Sequence, residues 1–367
     1  MSAPVDPAHT VPADDRSFVA AVDTYLEAFL RGEGVNLAAI SPDAPHLVEA
    51  IGSLSRGGKR MRATLCYWGH TAVGSPTSVD VVAAGVALEL FQTAALIHDD
   101  IIDRSDTRRS VPSVHRRFEA LHTEQGWALD GAHFGVSAAV LAGDLCLSWS
   151  EQVFGSLGPA AASGTPARHV FDQMRMEVLT GQYLDVLEEV AGPSRDPEDA
   201  VARARIVSSY KSARYSVERP LVLGAALAGA DPDLIHALSA AGLPLGEAFQ
   251  LRDDVLGVFG DPELTGKPAG DDLREGKRTV LIGFALQHAA ADDAAYLEDR
   301  LGRPDLDPAA IERLRAILTR SGALRRTEEL IDDLHRSALA EIDGLPVPDT
   351  VRTALAALAD RAVSRRS

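Results

Sequence analysis

Cysteine is nearly absent from this sequence, with two residues, Cys66 and Cys146, in 367. So few cysteines exclude a disulfide scaffold and a metal site built from paired cysteines, and they favour a reducing compartment. Basic residues are also scarce, because 36 Lys and Arg stand against 53 Asp and Glu, for a formal net charge of -17. A nucleic-acid partner is therefore not expected, since binding the phosphate backbone requires a basic surface.

Long uninterrupted apolar runs are missing as well. The longest, over residues 81–97, contains polar side chains and ends at His98-Asp99-Asp100, whereas a membrane span needs about 20 apolar residues. The N-terminus lacks the basic start and apolar run of a signal peptide. We therefore expect a cytoplasmic protein with no transmembrane segment.

Strand patterns are scarce, and helical periodicity in segments rich in Ala and Leu dominates. No linker or repeat divides the chain, so the prediction is one all-α domain over residues 17–367, preceded by a flexible N-terminal tail over residues 1–16. Helices are expected over residues 17–30, 45–54, 59–74, 78–103, 112–120, 134–157, 167–189, 198–215, 217–229, 232–240, 243–259, 308–321, 323–342 and 348–365.

An acidic cluster closes the apolar helix predicted over residues 78–103. Asp99 and Asp103 are four residues apart and share a helix face, and Asp100 lies beside them. Carboxylates at a helix C-terminus oppose the helix dipole unless a cation is bound. Oxygen ligands of this kind suit Mg²⁺, which bridges to phosphates. A solvated acidic helix end fits this motif equally well.

A second acidic pair, Asp253-Asp254, closes the helix predicted over residues 243–259. The repeated pattern argues against coincidence. If the two clusters faced each other across a cavity, they would hold several Mg²⁺ ions, and a diphosphate would be the shared ligand.

Basic residues near these clusters are candidates for binding such an anion. Surface salt bridging is the simpler interpretation of any single basic pair, and Gln182 with Asp185 alone is more typical of a buried polar pair. A Walker A loop is absent, because Ser53 occupies its first glycine position and Pro268 follows Gly266-Lys267. The basic candidates are Lys59 and Arg62, predicted to share a helix face, and Arg108, Arg109, Lys211, Lys267 and Lys277.

Taken in order, these segments resemble the trans-isoprenyl diphosphate synthases (polyprenyl synthetases), and most of all a geranylgeranyl diphosphate synthase. The matching segments are Gly57-Gly58-Lys59-Arg60-x-Arg62, Glu89-Leu90-Phe91-Gln92 before His98-Asp99-Asp100-x-x-Asp103, Arg108-Arg109, Ala142-Gly143-Asp144, Gly181-Gln182-x-x-Asp185, Lys211-Ser212, Phe249-Gln250-x-x-Asp253-Asp254 and Thr265-Gly266-Lys267. One such motif is weak, but eight in the family's order are specific.

The resemblance implies an isoprenoid synthase fold, with long helices around a deep central cavity, in a homodimer. It implies head-to-tail condensation of isopentenyl diphosphate with an allylic diphosphate (dimethylallyl, geranyl or farnesyl), with release of pyrophosphate. It also implies three Mg²⁺ ions per site, for which Mn²⁺ would substitute. The released pyrophosphate would be the base for the final proton, so no dedicated side-chain base is required.

The resemblance also assigns roles to individual residues. Asp99, Asp103, Asp185 and Asp253 would hold Mg²⁺, with Asp100 and Asp254 in support. Residues for the allylic diphosphate would be Arg108, Lys211, Gln250, Lys267 and Lys277, the last of which would help to close the site. Residues for isopentenyl diphosphate would be Lys59, Arg62, Gln92 and Arg109. Gln182 would lie with Asp185 beside the metals and the developing cation.

The second acidic motif departs from the family pattern, which is often DDxxD, because its last position is Gly257. Two of three carboxylates remain, so activity is still expected. Asp261, one turn further along, is a candidate to compensate.

Product length is predicted from the helix that ends at Asp99. Ala94 and Ala95 would lie roughly 6–8 Å below the acidic cluster, and Phe91 about 12 Å below Asp99. In short-chain members of the family the upper level carries aromatic residues that close the cavity. Two alanines leave that level open, which makes Phe91 the candidate floor and favours a C20 product, geranylgeranyl diphosphate. Tight packing of the alanines against a neighbouring helix is the alternative interpretation.

Three alternatives remain at this stage. A synthase of longer products (C25 or more) would use the same residues. A class I terpene cyclase shares the acidic site but binds one diphosphate, which does not explain two basic sites. A non-catalytic subunit of a heteromeric prenyl synthase would be expected to lose acidic or basic positions, and only Gly257 points that way.

Overall fold

The computed structural model describes residues 14–74, 80–108, 111–260 and 270–364. Contacts divide the chain into two compact units. The predicted single domain over residues 17–367 stays a prediction. Most of the predicted N-terminal tail lies outside the described residues. The first unit comprises residues 1–107, 111–169 and 223–230, and the second comprises residues 108–110, 170–222 and 231–367.

The first unit is built around one apolar helix, α4 (Val81–Ile102), which packs against helices from both sides of it in the sequence. Nearly every residue of its first half is buried, because its apolar side chains surround the whole helix rather than one face. Its neighbours are α1 (Asp15–Ile40), α2 (Pro45–Ser55), α3 (Met61–Thr71), α5 (Val114–Glu124) and α6 (Gly131–Gly155). Two-residue strands, β1 (Thr107–Arg108) and β2 (Val111–Pro112), pair with each other after α4.

Two of these helices, α4 and α6, are long and apolar enough to span a bilayer by length and composition alone. In α4, 78% of the most apolar window is buried, as in the core helix of a soluble protein, whereas the value for α6 is 28%. Val136, Val140 and Leu141 of α6 accordingly carry exposed apolar surface.

The second unit centres on α10 (Pro232–Phe259), which packs against later helices and against an 11-residue π-helical segment, Ser208–Glu218. The remaining helices along this part of the chain are α7 (Pro166–Ala191), which begins in the first unit, α8 (Ala200–Val207), α9 (Arg219–Leu227), which ends in the first unit, α11 (Asp271–Glu275), α12 (Val280–His288), α13 (Ala291–Arg300), α14 (Pro308–Arg320), α15 (Ala323–Asp343) and α16 (Asp349–Val363). Short 3₁₀ turns lie at Gly158–Ala161, Gly192–Ser194 and Pro197–Asp199.

The all-α prediction is confirmed, since helix accounts for nearly all regular structure in the described residues. Side-chain caps start several helices: Asp231 accepts from the N–H of Leu234, and Asp307 from that of Ala310. The predicted break between residues 240 and 243 is wrong, because α10 continues through Pro244. Helices α11, α12 and α13 were not predicted.

Candidate active site

The first acidic cluster lies where α4 ends. Asp99 is half-buried, Asp100 is fully buried, and Asp103 is the C-cap residue, with its backbone N–H donating to the Asp99 carbonyl at 2.8 Å. The N–H of Ser105 donates to the Asp100 carbonyl at 2.9 Å. The closing turn of the helix therefore holds three carboxylates within about one turn of each other, as their spacing predicts.

His98, next to this cluster, packs over a glycine of α6. A Cβ on Gly143 would lie 2.6 Å from Cδ2 of the His98 ring, so the ring occupies the space that a side chain would fill. Its Nε2 lies 3.3 Å from the carbonyl of Val140 and 3.6 Å from Oδ1 of Asp144. This contact joins the start of the first acidic motif to the Ala142-Gly143-Asp144 segment. The sequence alone does not show that these two segments touch.

The residues proposed to set product length differ in burial. Phe91 and Ala94 are almost wholly buried, at 1% and 0% exposure. Ala95 and Gln92 are half-buried, on the side of α4 that continues to Asp99. The roles of Ala94, Ala95 and Phe91 in setting product length therefore stay predictions.

The basic segment Gly57-Gly58-Lys59-Arg60 links α2 to α3, and its key residue is Arg60, which sequence analysis did not single out. Arg60 is 6% exposed and has a left-handed backbone, with φ 50°. Its guanidinium donates from Nε to Asp23 Oδ1 at 2.7 Å, from Nη1 to Glu89 Oε2 at 3.1 Å and from Nη2 to the Ser55 carbonyl at 2.8 Å. Arg60 therefore joins α1, the end of α2 and α4.

Burial by itself would lower the pKa of the Arg60 guanidinium, but Glu89 and Asp23 more than offset this effect and raise its pKa. The same contacts correct one expectation. Lys59 and Arg62 do not share a helix face, because α3 begins only at Met61 and the left-handed turn at Arg60 separates the two residues. Lys59 is exposed and Arg62 is half-buried.

In the second unit, Lys211 and Asp185 form a close ion pair, with Nζ 2.5 Å from Oδ2. Lys211 lies in the π-helical segment and Asp185 lies on α7. The two backbones approach closely because α7 carries a glycine there: a Cβ on Gly181 would lie 2.7 Å from Cα of Lys211. On its other side the segment rests on α10, where a Cβ on Gly246 would lie 2.9 Å from Cα of Ala213.

The second acidic pair lies in the last turns of α10. Asp253 is half-buried, whereas Asp254 is 7% exposed and accepts a 2.7 Å hydrogen bond from Nε2 of Gln250. Burial raises the pKa of the Asp254 carboxyl to about 8, and the negative charges of Asp272, Asp253 and Asp185 add to that rise, while the Gln250 hydrogen bond opposes it. Carboxylates from α7, α10 and α11 therefore act on one buried acid.

An amide on α7 supports a ligand site near these groups. The Nε2 atom of Gln182 is buried and makes no hydrogen bond to any of the described residues. Buried donors without a partner are rare in folded proteins. Gln182 lies three residues before Asp185 on the same helix, so it is available to a ligand bound beside the Lys211–Asp185 pair.

The structure also brings in a carboxylate that sequence analysis missed. A Cβ on Gly257 would lie 2.5 Å from Cγ of Asp272, and closer still to its Oδ2. Asp272 is half-buried on α11. Asp261, the residue suggested to compensate for Gly257, lies outside the described residues.

Four further predicted residues have different outcomes. Arg108 is half-buried at the end of β1. Lys277 follows α11, and its Nζ lies 3.0 Å from Oε2 of Glu275. Arg109 and Lys267 lie outside the described residues.

Across residues 14–74, 80–108, 111–260 and 270–364, no three His, Cys, Asp or Glu side chains are grouped closely enough to hold a metal ion by themselves. The donor set nevertheless fits Mg²⁺, which takes one or two carboxylates and completes its shell with water and phosphate oxygens. Burial raises the pKa of Asp254, and the charges of Asp272, Asp253 and Asp185 add to that rise, so several carboxylates act at this one place. Carboxylates next to Lys211, with a Gln182 Nε2 that has no partner among the described residues, suit a metal-bound phosphate.

Comparison with known proteins identifies the family of this chain. The family model for polyprenyl synthetase matches residues 44–318. A crystal structure of geranylgeranyl pyrophosphate synthase from Corynebacterium glutamicum, complexed with isoprenyl diphosphate and magnesium, is 41% identical, covers 96% of this chain and 100% of its own, and superimposes with a TM-score of 0.90.

Two curated relatives make products of other lengths. Octaprenyl diphosphate synthase from Escherichia coli is 33% identical over 90% of this chain and 95% of its own length. Nonaprenyl diphosphate synthase from Mycobacterium tuberculosis is 28% identical over 95% of this chain and 93% of its own. The chain therefore belongs to the polyprenyl synthetase family of trans-isoprenyl diphosphate synthases, has their all-α fold, and is a prenyltransferase.

Proposed function

We propose that this enzyme condenses isopentenyl diphosphate head-to-tail with an allylic diphosphate (dimethylallyl, geranyl or farnesyl) and releases pyrophosphate, with geranylgeranyl diphosphate as the main product. The observation that carries the proposal is the site in the second unit, which contains the Lys211–Asp185 ion pair, the buried Asp254 and a buried Gln182 Nε2 that no other described residue binds. Such a mixture of carboxylates and donors suits a metal-bound diphosphate. The Corynebacterium structure, with its isoprenyl diphosphate and magnesium, supports the same assignment.

The reaction requires the allylic C–O bond to ionise, which leaves a carbocation and a highly charged diphosphate. Mg²⁺, when bound, neutralises the charge that develops on the leaving group. We assign its ligands to Asp99, Asp103, Asp253 and Asp185, with three ions per site and with Mn²⁺ as a substitute. Asp100 and Asp254 support these ligands from their buried positions.

The protein's own cations and amides act on the same diphosphate. Lys211 donates from Nζ to Asp185, and this ion pair holds the ammonium group at the site. Gln182 offers its buried amide N–H and lies beside the developing cation. The other allylic-site residues in this proposal are Arg108, Gln250, Lys267 and Lys277.

Isopentenyl diphosphate is assigned to Lys59, Arg62, Gln92 and Arg109. The Arg60 contacts support part of this set, because they fix the turn between Lys59 and Arg62 against α4, which carries Gln92. The pyrophosphate released in the first half of the reaction accepts the final proton, since an anion of that charge remains next to the new bond.

The C20 product is a more specific proposal than the reaction itself, because the relatives named above make products from C20 to C45. It is supported by the small side chains at Ala94 and Ala95, with Phe91 one level further from Asp99. The Corynebacterium neighbour, which is a geranylgeranyl pyrophosphate synthase, supports the same length.

We also propose that the enzyme is a cytoplasmic homodimer. The support from this chain is α6, where Val136, Val140 and Leu141 present apolar surface to solvent although the helix as a whole is strongly apolar. A second copy covering this face would remove that surface from water. Leu141→Glu should then shift the mass measured by light scattering from dimer to monomer, and an unchanged mass would rule out this face.

The activity is tested by incubating purified enzyme with Mg²⁺, isopentenyl diphosphate and each allylic primer, and sizing the dephosphorylated products. A single C20 alcohol is expected. Asp103→Asn should remove most of the rate, whereas Asp106→Asn, a matched change of an exposed carboxylate on the same loop, should not. Products of C30 or more would refute the C20 assignment. Folded protein that makes no product with any primer would refute the catalytic proposal and favour the subunit alternative.

A further inference from the structure

A short connector, residues 277–279, joins α11 to α12 and carries a residue assigned to the allylic diphosphate. That residue is Lys277, whose Nζ lies 3.0 Å from Oε2 of Glu275. Thr279 ends the connector as the N-cap of α12, where its side chain accepts from the N–H of Ile282. Because the connector lies outside both helices, its position depends strongly on the contacts of its own side chains.

The middle residue of the connector, Arg278, forms a buried ion pair with Glu298 of α13. Its Nη1 donates to Oε1 at 3.0 Å, and its Nη2 donates in parallel to Oε2. The Arg278 side chain is 9% exposed. Two parallel hydrogen bonds fix the orientation of the guanidinium plane as well as its distance from the carboxylate. The pair therefore holds the connector against α13 in one geometry.

The stem of the same side chain lies over a glycine at the end of α7. A Cβ on Gly192 would lie 2.6 Å from Nε and 3.0 Å from Cζ of Arg278, and closer still to its Cδ. Gly192 is buried and directly follows the last residue of α7. A side chain at position 192 would therefore displace the arginine. The same helix carries Gln182 and Asp185, and Asp185 lies about 10 Å along the helix axis from its end.

A buried guanidinium is an unfavourable way to fill space, which points to a role beyond stability. The Nε atom of Arg278 is buried and makes no hydrogen bond to any of the described residues. Replacing a buried ion pair with apolar residues of similar volume is often neutral or stabilising. What the arginine provides, and an apolar residue would not, is a directional contact to Glu298.

We propose that Arg278 is a positioning residue for the condensation. It ties the connector to the end of α7 and to α13, and thereby holds Lys277 where that lysine acts on the allylic diphosphate. The two residues are neighbours in the chain but reach different partners, since Lys277 meets Glu275 and Arg278 meets Glu298. Arg278 itself does not contact substrate. The inference rests on the proposed function, which assigns Lys277 to the allylic diphosphate.

The first test is the steady-state kinetics of Arg278→Met, with each substrate varied in turn. The value of kcat/KM for the allylic diphosphate should fall about 10- to 100-fold, since a displacement of about 1 Å in a site can cost 100-fold. The KM for isopentenyl diphosphate should stay within about 2-fold, because that substrate is assigned to other residues. The matched control is Arg320→Met, which removes another arginine bound to α13, through Asp293, but one that is 58% exposed. It should change neither value by more than about 2-fold.

A double-mutant cycle separates positioning from a merely structural role. Lys277→Met should by itself lower kcat/KM for the allylic diphosphate. If Arg278 acts through Lys277, adding Arg278→Met to Lys277→Met should lower this value further by no more than about 2-fold. An equal loss from Arg278→Met in both backgrounds would overturn the proposal, because a structural effect does not require the lysine.

Gly192→Ala perturbs the same contact without removing a charge. Its Cβ would displace the stem of Arg278, so kcat/KM for the allylic diphosphate should fall, and the same change should have little further effect in Arg278→Met. The matched control is Gly155→Ala, at the end of α6, where a Cβ would meet no atom within 4 Å. A Gly192→Ala loss that persists undiminished without the arginine would contradict the proposed contact.

The two proposals fail in different ways. If the wild-type protein makes no product with any primer, the proposed function is wrong, and the role of Arg278 falls with it. If the wild type is active, Lys277→Met is impaired and Arg278→Met is not, only the positioning role is wrong. Circular dichroism serves as the folding control. Should Arg278→Met fail to fold, Arg278→Lys replaces it, because lysine keeps the charge without the planar fork and should show the same loss for the allylic diphosphate alone.

Discussion

Replacing Arg60 by methionine should destabilise the first unit strongly. The substitution keeps an apolar stem of similar reach but removes three hydrogen bonds, to Asp23, Glu89 and the Ser55 carbonyl. It also leaves Glu89, whose side chain is 7% exposed, as a buried carboxylate without its cation. Removing one partner of a buried ion pair costs about 3–5 kcal/mol, so a loss of that size in the free energy of unfolding is expected.

The cost of leaving the Glu89 charge unpaired can be measured separately. In the double variant Arg60→Met with Glu89→Gln, the unpaired buried charge is gone, and part of the loss should be recovered because a neutral amide costs less to bury. The two single changes should therefore be clearly non-additive, with a coupling energy of about 0.5–3 kcal/mol.

The measurement is equilibrium unfolding in urea, followed by circular dichroism at fixed temperature. The matched control is Arg325→Met, which breaks an i,i+4 ion pair to Glu329 whose two side chains are 65% and 59% exposed. Exposed pairs contribute at most about 1 kcal/mol, so this control should change the urea midpoint little. If Arg60→Met costs no more than Arg325→Met, the reasoning about the buried guanidinium is wrong.

Three further predictions concern the second unit and the product. Gly181→Ala should lower kcat and reduce the free energy of unfolding by about 1–3 kcal/mol, because its Cβ would press on the backbone of Lys211. The control Gly32→Ala, at an open helical position, should instead raise the free energy of unfolding by up to about 1 kcal/mol. Equal effects of the two changes would refute the close-contact argument. In metal-free protein, stability should fall as pH rises from about 4 to about 8, since folded Asp254 holds a proton that the unfolded chain releases. In Asp254→Asn the melting temperature should depend less on pH over that window. The same dependence of melting temperature on pH in wild type and variant would refute the assignment. Phe91→Ala should lengthen the product beyond C20, at a stability cost of about 3–5 kcal/mol for the buried ring; an unchanged product length would remove Phe91 as the floor.

The elements that sequence predicted well are those with local signals at their ends. α14 begins at Pro308, after the capping Asp307, and ends within one residue of the prediction. α2 begins at Pro45 as predicted. Such signals depend only on neighbouring residues, because a cap or a proline fixes the first turn by itself.

Elements that depend on distant contacts were not predictable in the same way. The start of α3 moves to Met61 because the Arg60 side chain binds three partners far along the chain or on other helices. α10 continues through Pro244 although proline disfavours a helix interior, and the packing of Gly242 and Gly246 against the π-helical segment provides contacts that offset this cost.

The candidate site shows the same difference between local signals and distant contacts. Asp99, Asp103, Asp253 and Asp254 could be predicted because their spacing along a helix is a local property. The approach of the Asp272 carboxylate to Gly257 could not be predicted, because nothing in the local sequence links those two positions. The structure describes neither Arg109 nor Lys267, so their roles stay predictions.

The π-helical segment Ser208–Glu218 has a consequence for how this enzyme tolerates insertions and deletions. A π-helix takes more residues per turn than an α-helix, so 11 residues of it turn the chain through a smaller total angle than the same number in α form. Each residue of an α-helix adds about 100° of rotation. Losing one residue between Lys211 and Glu218 would therefore rotate the Lys211–Asp185 pair relative to α10, which follows in the chain, while leaving the composition almost unchanged. In this stretch the number of residues matters as much as their identity, and length variation between relatives should be concentrated elsewhere, in loops such as the one between α5 and α6.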